Sequence, residues 1–357
     1  MEPKERVQEV AARQSAQAEM AARHILKSFL QMEGVHVRPP TQEADNESEV
    51  DQELEEGLLS LFAVGGGVGS VNSDNDDSNT EEKGPTFVSE TYTRLDPKAD
   101  PPTLELSLAA GRHSLWGHKV WNAAKVLGEM LELDPSLVRG KTVLELGAGC
   151  ALPSLLAALN GAKHVVASDY ASSTDQVLVE AMQSNVDRLV EQGHVSKGAL
   201  STVGYVWGQP VHTLLAPLEG MGGVEEEGKE GKKRRKFDLI ICADLIFNRS
   251  EHKKLLWTCR ECLEEDGSKE VLVAYSHHDP EKRALDLAFF TLAEQEEGGE
   301  GPGEGGVGGW VVEDVSVEQC VDLFVEGDGM DEERGKVYVK RLTRRRKGTV
   351  DWPSSGE

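Results

Sequence analysis

Along residues 142–295 the apolar positions change period again and again. Short, nearly continuous apolar runs cover 142–146, 164–168, 201–206, 237–242 and 270–275. Runs of that length and purity are the mark of strands buried on both faces of a parallel sheet. Between them, apolar residues recur every three or four positions, which predicts helices over about 152–160, 174–192, 250–264 and 281–295. A further helix is expected over 117–132, where Val120, Trp121, Ala124, Leu127 and Leu131 share one face. Upstream, Thr103-Leu-Glu-Leu-Ser-Leu108 alternates like a half-exposed strand, and 85–100 reads as a lead-in. The segments 310–318 and 335–342 predict a hairpin-like pair that closes the sheet. Strands alternating with helices imply an α/β fold with right-handed crossovers, here with an antiparallel last element.

Composition confines this fold to part of the chain. The 357 residues carry a net charge of −25, and residues 1–84 alone hold 18 acidic and 7 basic side chains. That stretch also contains Gly65-Gly-Gly and Asn72-Ser-Asp-Asn-Asp-Asp-Ser-Asn79, too little apolar surface to offset ordering entropy. Residues 1–84 are therefore expected to be a disordered acidic extension, with a fraying helix over about 5–31. The domain is expected over 85–342, interrupted by glycine-rich inserts at 219–236 and 296–309 and followed by a basic flexible tail at 343–357. The basic runs Lys232–Lys236 and Arg344–Lys347 read as solvated before they read as docking or import signals.

Other classes are disfavoured. No stretch approaches the roughly 20 apolar residues of a membrane helix, and the N-terminus lacks the apolar core of a secretory signal. Five sparse cysteines suit a reducing, cytoplasmic setting. Cys259-x-x-Cys262 has no second pair, so a helix-borne thiol pair is expected rather than a metal site. The negative charge disfavours nucleic acid as the main partner and favours basic proteins. A monomer is expected.

The chemistry concentrates at predicted strand ends. Thr142-Val-Leu-Glu-Leu-Gly-Ala-Gly149 ends an apolar run in a Gly-x-Gly turn, and Val165-Val-Ala-Ser-Asp169 ends the next in a carboxylate. Glycine lets backbone approach a ligand closely, and a carboxylate at the next strand end can accept both ribose hydroxyls. A dinucleotide fingerprint requires a third glycine, but Leu152 and Pro153 follow instead. Glu145 also places an acid at the helix start where a phosphate would bind. A nucleoside with no phosphate and a positive end fits better than a dinucleotide. Trp207, after the third strand, offers an indole to an adenine face. Asp244 and Phe247, after Ala243 at the end of the fourth, could hold an amine beside a methyl donor. The alternatives are helix N-caps for Asp169 and Asp244, and a core position for Trp207. His118 is expected to be structural.

Taken together, Trp116-Gly-His118, Trp121-Asn-Ala-Ala124, Val143-Leu-Glu-Leu-Gly-Ala-Gly149, Tyr205-x-Trp207-Gly and Ala243-Asp-Leu-Ile-Phe-Asn-x-Ser-Glu-His252 resemble the seven-strand lysine methyltransferase family. Within it they are most similar to the protein N-terminal and lysine methyltransferases acting on translation elongation factor 1-alpha, a subgroup once described as nicotinamide N-methyltransferase-like. The resemblance covers about 85–342 apart from the inserts. It implies a Rossmann-like, seven-stranded S-adenosylmethionine-dependent fold. It also implies cofactor contacts at Trp121, Gly147, Ala148, Gly149, Asp169, Trp207 and Ala243, a weaker one at Trp116, catalytic positions Asp244 and Phe247, and no metal. The wider family has Asp-x-x-Tyr where this chain has Asp244-Leu-Ile-Phe247, so a phenol contact to substrate is missing. A small-molecule N-methyltransferase and a non-enzymatic binding protein stay open as alternatives.

Overall fold

The computed structural model describes residues 87–110, 117–172, 175–219, 235–296, 306–321, 323 and 333–345. The chain divides into two units, residues 1–83 and 84–357. The expected extension, the helix over 5–31, Trp116, most of both inserts and the end of the basic tail lie outside the described residues.

In the second unit, β3 (Thr142–Leu146), β4 (His164–Asp169), β5 (Leu200–Gly204), β6 (Leu239–Ala243) and β7 (Glu270–Tyr275) are mutually parallel. Two antiparallel strands, β8 (Trp310–Gln319) and β9 (Lys336–Arg344), complete a seven-stranded sheet in the order β5-β4-β3-β6-β7-β9-β8. β9 slots between β7 and β8, so the last two strands reverse their chain order. A register shift at Asp314/Ser316 lets β8 follow the twist of its partner.

Side-chain alternation divides the sheet into two faces. Val143, Val165, Ala167, Leu239, Ile241 and Leu272 pack on one face with helices α1 (Asn122–Leu133), α2 (Leu152–Leu159) and α3 (Val177–Glu191). Leu144, Leu146, Val166, Ile240, Val271 and Val273 pack on the other with α4 (His252–Cys262) and α5 (Arg283–Glu294). Chain order leaves β3 towards β4 on one side and returns at β6 on the other. The carboxyl ends of β3 and β6 therefore flank the topological switch point, where open α/β sheets take their ligands.

The structure corrects the reading of 85–100. Phe87–Thr93 forms a strand, β1, paired antiparallel with β2 (Thr103–Ala109) as a separate two-stranded ribbon. Tyr92 is the only fully buried side chain in β1, so no apolar alternation announced it. The ribbon is tied to α1 through Glu132, which accepts from Arg94 Nε at 2.6 Å and Tyr92 Oη at 3.0 Å. Burial and the Glu132 carboxylate push the Tyr92 phenol far above its ordinary range, so it is a permanent donor. On α3, Asn185 receives Ser107 N–H at 2.7 Å and donates to the carbonyls of Ser107 and Cys150 at 3.0 Å each.

The edges of the gaps are anchored. β9 continues through Arg344, past the expected boundary at 342, and the Arg344 guanidinium lies 5.1 Å over the Trp310 ring. Arg344 is thus part of the sheet rather than of a solvated tail. At the rim of the second insert, Trp310 Nε1 donates to Val307 O, and Val307 is buried. The Cys259-x-x-Cys262 thiols are fully buried on α4, with Cys259 Sγ 4.0 Å from Cys242 Sγ. The hydrogen bond with the Cys242 thiol, and then burial, raise Cys259 well above an ordinary thiol, which leaves it unreactive.

Asn185→Ala is expected to lower stability by about 3 kcal/mol, because it strands three buried backbone groups that now have partners. Urea denaturation followed by circular dichroism measures this. A loss below about 1 kcal/mol would mean the ribbon is not held through this side chain.

Candidate functional site

The turn after β3 is built from left-handed backbone. Gly147 and Gly149 have φ of 63° and 55°, and Ala151, just before α2, has φ 64°. At Gly147 a Cβ would fall 2.5 Å from Leu245 Cδ2 and 3.4 Å from Trp207 Cζ2. A side chain there would collide with the segment following β6. At Gly149 a Cβ would meet nothing within 4 Å, so open space lies directly against the backbone. Ala148 N–H bonds to Ser168 O at 3.0 Å, which ties the turn to the end of β4.

Two carboxyl groups brace this turn. Asp169 accepts Gly149 N–H and Tyr170 N–H, each at 2.6 Å. It is no helix cap, because α3 starts only at Val177. A carboxylate has about four acceptor sites in all, the chemistry a pair of ribose hydroxyls requires. Glu145 is fully buried and accepts Ser154 N–H at 2.9 Å and Ser154 Oγ–H at 2.5 Å, occupying the donors at the start of α2. A phosphate has no access to those donors. Burial, the largest influence, raises the Glu145 carboxyl to about 8, so it is mostly neutral near pH 7. The exclusion of phosphate therefore rests on occupied donors rather than on the negative charge expected from sequence.

Across the switch point, Asp244 follows β6 with φ 59° and is buried. It does not cap α4, which begins at His252. Its N–H bonds to Ala274 O at 2.8 Å, so it stays in register with β7. Its Oδ1 accepts Ser276 N–H at 3.3 Å, and its Oδ2 meets His278 Nε2 at 3.0 Å. The His278 ring stacks on Phe247 at 4.9 Å and on Trp121 at 5.5 Å, with interplanar angles of 20° and 24°. Burial alone would lower the His278 imidazole, but the Asp244 carboxylate outweighs it, and the net shift is upward. Trp121 occupies the N-cap position of α1 without a side-chain capping bond, its ring edge-on to His118. Behind His278, Asp286 accepts from Arg249 Nε and pairs with His277 Nδ1, both at 2.9 Å.

The structure thus gathers the residues singled out by sequence into two groups. Gly147, Ala148, Gly149, Asp169 and Trp207 surround the first turn, while Ala243, Asp244, Phe247 and Trp121 surround the second. Trp207 is half-buried at the Gly147 turn rather than deep in the core, and Gly208 N–H holds its loop to α4 through Thr258 Oγ1 at 3.0 Å. His278 was missed. The signal was present as Ser276-His-His278 at the end of the strand 270–275, but only the β6–β7 pairing, Ala243 opposite Ala274, carries it to Asp244.

These residues fit a cationic nucleoside. There is room against Gly149, a ribose-competent carboxylate at Asp169, and a second Glu145 oxygen, Oε1, that is buried with no hydrogen-bond partner among the described residues. A cation bound nearby would draw Glu145 back towards its charged form. Without such a cation, Glu145 binds more protons folded than unfolded between about pH 4.5 and 8, so its contribution to stability falls as pH rises through that window. Glu145→Gln is expected to flatten this dependence and to be the more stable protein at pH 9 by about 1–3 kcal/mol. Urea midpoints at pH 6 and pH 9 decide it. Parallel pH dependence in both proteins would mean Glu145 is ionised throughout.

A family model described as lysine methyltransferase matches residues 99–218. Protein N-terminal and lysine N-methyltransferase efm7 of Schizosaccharomyces pombe is 32% identical over 252 residues, covering 71% of this chain and 87% of the relative. The protein of that name from Candida albicans is 40% identical over 206 residues, covering 57% and 74%. The one from Debaryomyces hansenii is 35% identical over 243 residues, covering 68% and 84%. With its 5-4-3-6-7-9-8 sheet and its two-carboxyl glycine turn, this chain belongs to the seven-β-strand, S-adenosylmethionine-dependent protein methyltransferases and is closely related to these fungal enzymes.

Proposed function

We propose that this protein N-methyltransferase modifies the N-terminal amine, a nearby lysine, or both, of translation elongation factor 1-alpha. The observation that carries the amine reading is Asp244. A buried carboxylate is held in left-handed backbone at the switch point, bonded to His278, whose ring stacks on Phe247 and Trp121. The related fungal proteins are named for N-terminal and lysine N-methylation. The elongation-factor assignment rests on the resemblance of residues 243–252 to that subgroup. The net charge of −25 suits a basic protein partner and opposes nucleic acid.

In this reading, Gly147, Ala148 and Gly149 line the amino-acid end of S-adenosylmethionine, and Asp169 accepts its ribose hydroxyls. Trp207, Trp121 and Ala243 cover its remaining faces. The bound cofactor supplies an already activated methyl group, so the protein contributes alignment and electrostatics. Asp244 orients the acceptor amine by taking its N–H groups and disperses the charge that grows on nitrogen. Phe247 and Trp121 exclude water and give an aromatic wall to the nascent methylammonium. We further propose a cytoplasmic location, which five cysteines without a disulfide suit, and a monomeric state.

Mass spectrometry of elongation factor 1-alpha from cells with and without this protein should show methyl groups at its N-terminus or adjacent lysines only when the protein is present. Identical spectra, with label passing to low-mass amines instead, would replace the protein acceptor by a small molecule. Asp169→Ala should fold normally yet bind S-adenosylmethionine about 100-fold more weakly, as expected from losing hydrogen bonds to a charged group. Unchanged affinity by calorimetry would remove Asp169 from the site.

A further inference from the structure

We propose that Asp286, in the first turn of α5, is a positioning residue for methyl transfer, which fixes the Asp244 carboxylate where the acceptor amine arrives. The assignment rests on the reading of Asp244 as the acceptor group. An acid in the first turn of a helix ordinarily complements the positive end of that helix from the surface. Asp286 is only 1% exposed, and each of its oxygens takes a side-chain donor from another segment. Arg249 Nε donates to Oδ1 and His277 Nδ1 to Oδ2, both at 2.9 Å. A carboxylate only accepts, so the His277 hydrogen is on Nδ1. The other ring nitrogen, Nε2, is buried with no hydrogen-bond partner among the described residues. A histidine buried in this way is held for its one polar contact, the one with Asp286.

The two donors come from the two segments that build the acceptor side. Arg249 lies five residues after Asp244, in the turn that carries Phe247, and its own N–H bonds to Phe247 O at 3.1 Å. His277 lies between two residues that Asp244 holds: Ser276, whose N–H it accepts at 3.3 Å, and His278, whose Nε2 it meets at 3.0 Å. Two carboxylates thus grip the run Ser276-His-His278, and Arg249 ties the second back to the turn of the first. The result is a closed ring from Asp244 through Arg249, Asp286, His277 and His278 to Asp244 again. A ring of this kind fixes the direction of the Asp244 carboxylate as well as its place. His252 Nε2 bonds to Ile246 O at 2.6 Å and steadies the same turn from α4.

The cofactor side has separate supports. Its braces, Asp169 and Glu145, belong to β4 and β3, on the other flank of the switch point. Loosening the ring therefore disturbs the acceptor and spares the cofactor. In-line transfer is sensitive to such a disturbance, because a misplacement of about 1 Å costs on the order of 100-fold in rate.

The test is Asp286→Asn, which keeps the side-chain shape but leaves one acceptor for two donors. Labelled methyl transfer is measured into total protein of an extract from cells lacking the enzyme, so the readout does not depend on which protein accepts the methyl group. The rate at saturating S-adenosylmethionine should fall about 10- to 100-fold, while calorimetry shows cofactor affinity unchanged. In an Asp244→Asn background the same substitution should cost little more, because both changes spoil one carboxylate. An equal loss in both backgrounds, a loss of cofactor affinity, or no loss overturns the proposal. If Asp286→Asn does not fold, Arg249→Gln carries the same cycle, since that side chain is 32% exposed and its removal spares the core. Independently of turnover, the ring-breaking substitution should move the Trp121 indole N–H resonance of the cofactor-free protein and leave that of Trp207 in place. Movement of both resonances, or of neither, also overturns the assignment. A normal rate in Asp244→Asn, with the indole result as expected, would instead sink the acceptor reading and leave Asp286 as the tie between the two segments.

Discussion

The ligand edge of this sheet depends on one hydrogen bond, from Gly149 N–H to the Asp169 carboxylate at 2.6 Å. It joins the turn after β3 to the end of β4, so the spacing between glycine backbone and acid is set by the parallel pairing of the two strands. Leu146 lies opposite Ser168, and the next residue on β4 is Asp169. The turn can reach this carboxylate because its glycines take left-handed conformations that a Cβ would disfavour. Glu145 does the matching work below, where it takes the serine donors at the start of α2. A helix whose first donors are occupied by a buried carboxyl is not a phosphate cradle, and this separates the site from dinucleotide enzymes that share its first two glycines.

The opposite rim is assembled from elements far apart in sequence. Asp244 directly follows β6, His278 lies three residues past β7, and Trp121 immediately precedes α1. Trp121 is placed by a chain of contacts that begins in the small ribbon. Arg94 and Tyr92 grip Glu132 near the end of α1, and Lys125 reaches Glu90 at 2.9 Å. The Arg94–Glu132 pair is nearly dry and has a phenol on its second oxygen, so it is better compensated than an isolated buried ion pair. On the far side, Arg249 and His277 close on Asp286 and fix the backbone that carries His278. The placement of these side chains therefore rests on packing from both faces of the sheet.

Much of this was readable in the residues themselves. The buried runs, their helical spacers and the two strand ends Gly147–Gly149 and Asp169 announce an α/β nucleoside fold, because period and turn chemistry are local properties. Asp244 and Phe247 were visible for the same reason, directly after an apolar run. The strand at 87–93 was not, since Phe-Val-Ser-Glu-Thr-Tyr-Thr shows little apolar alternation and is defined by its pairing with β2.

Linear order alone thus determined the architecture and the kind of cofactor, both encoded in short local patterns of apolar runs and turn residues. Tertiary structure decided which of those groups are charged and what they touch. Desolvation turned Glu145 from an anion into a mostly neutral acid. The pairing of β6 with β7 delivered His278 to Asp244, thirty-four residues apart along the chain. Both outcomes depend on solvent exclusion and on sheet register, quantities that exist only after distant segments have packed together.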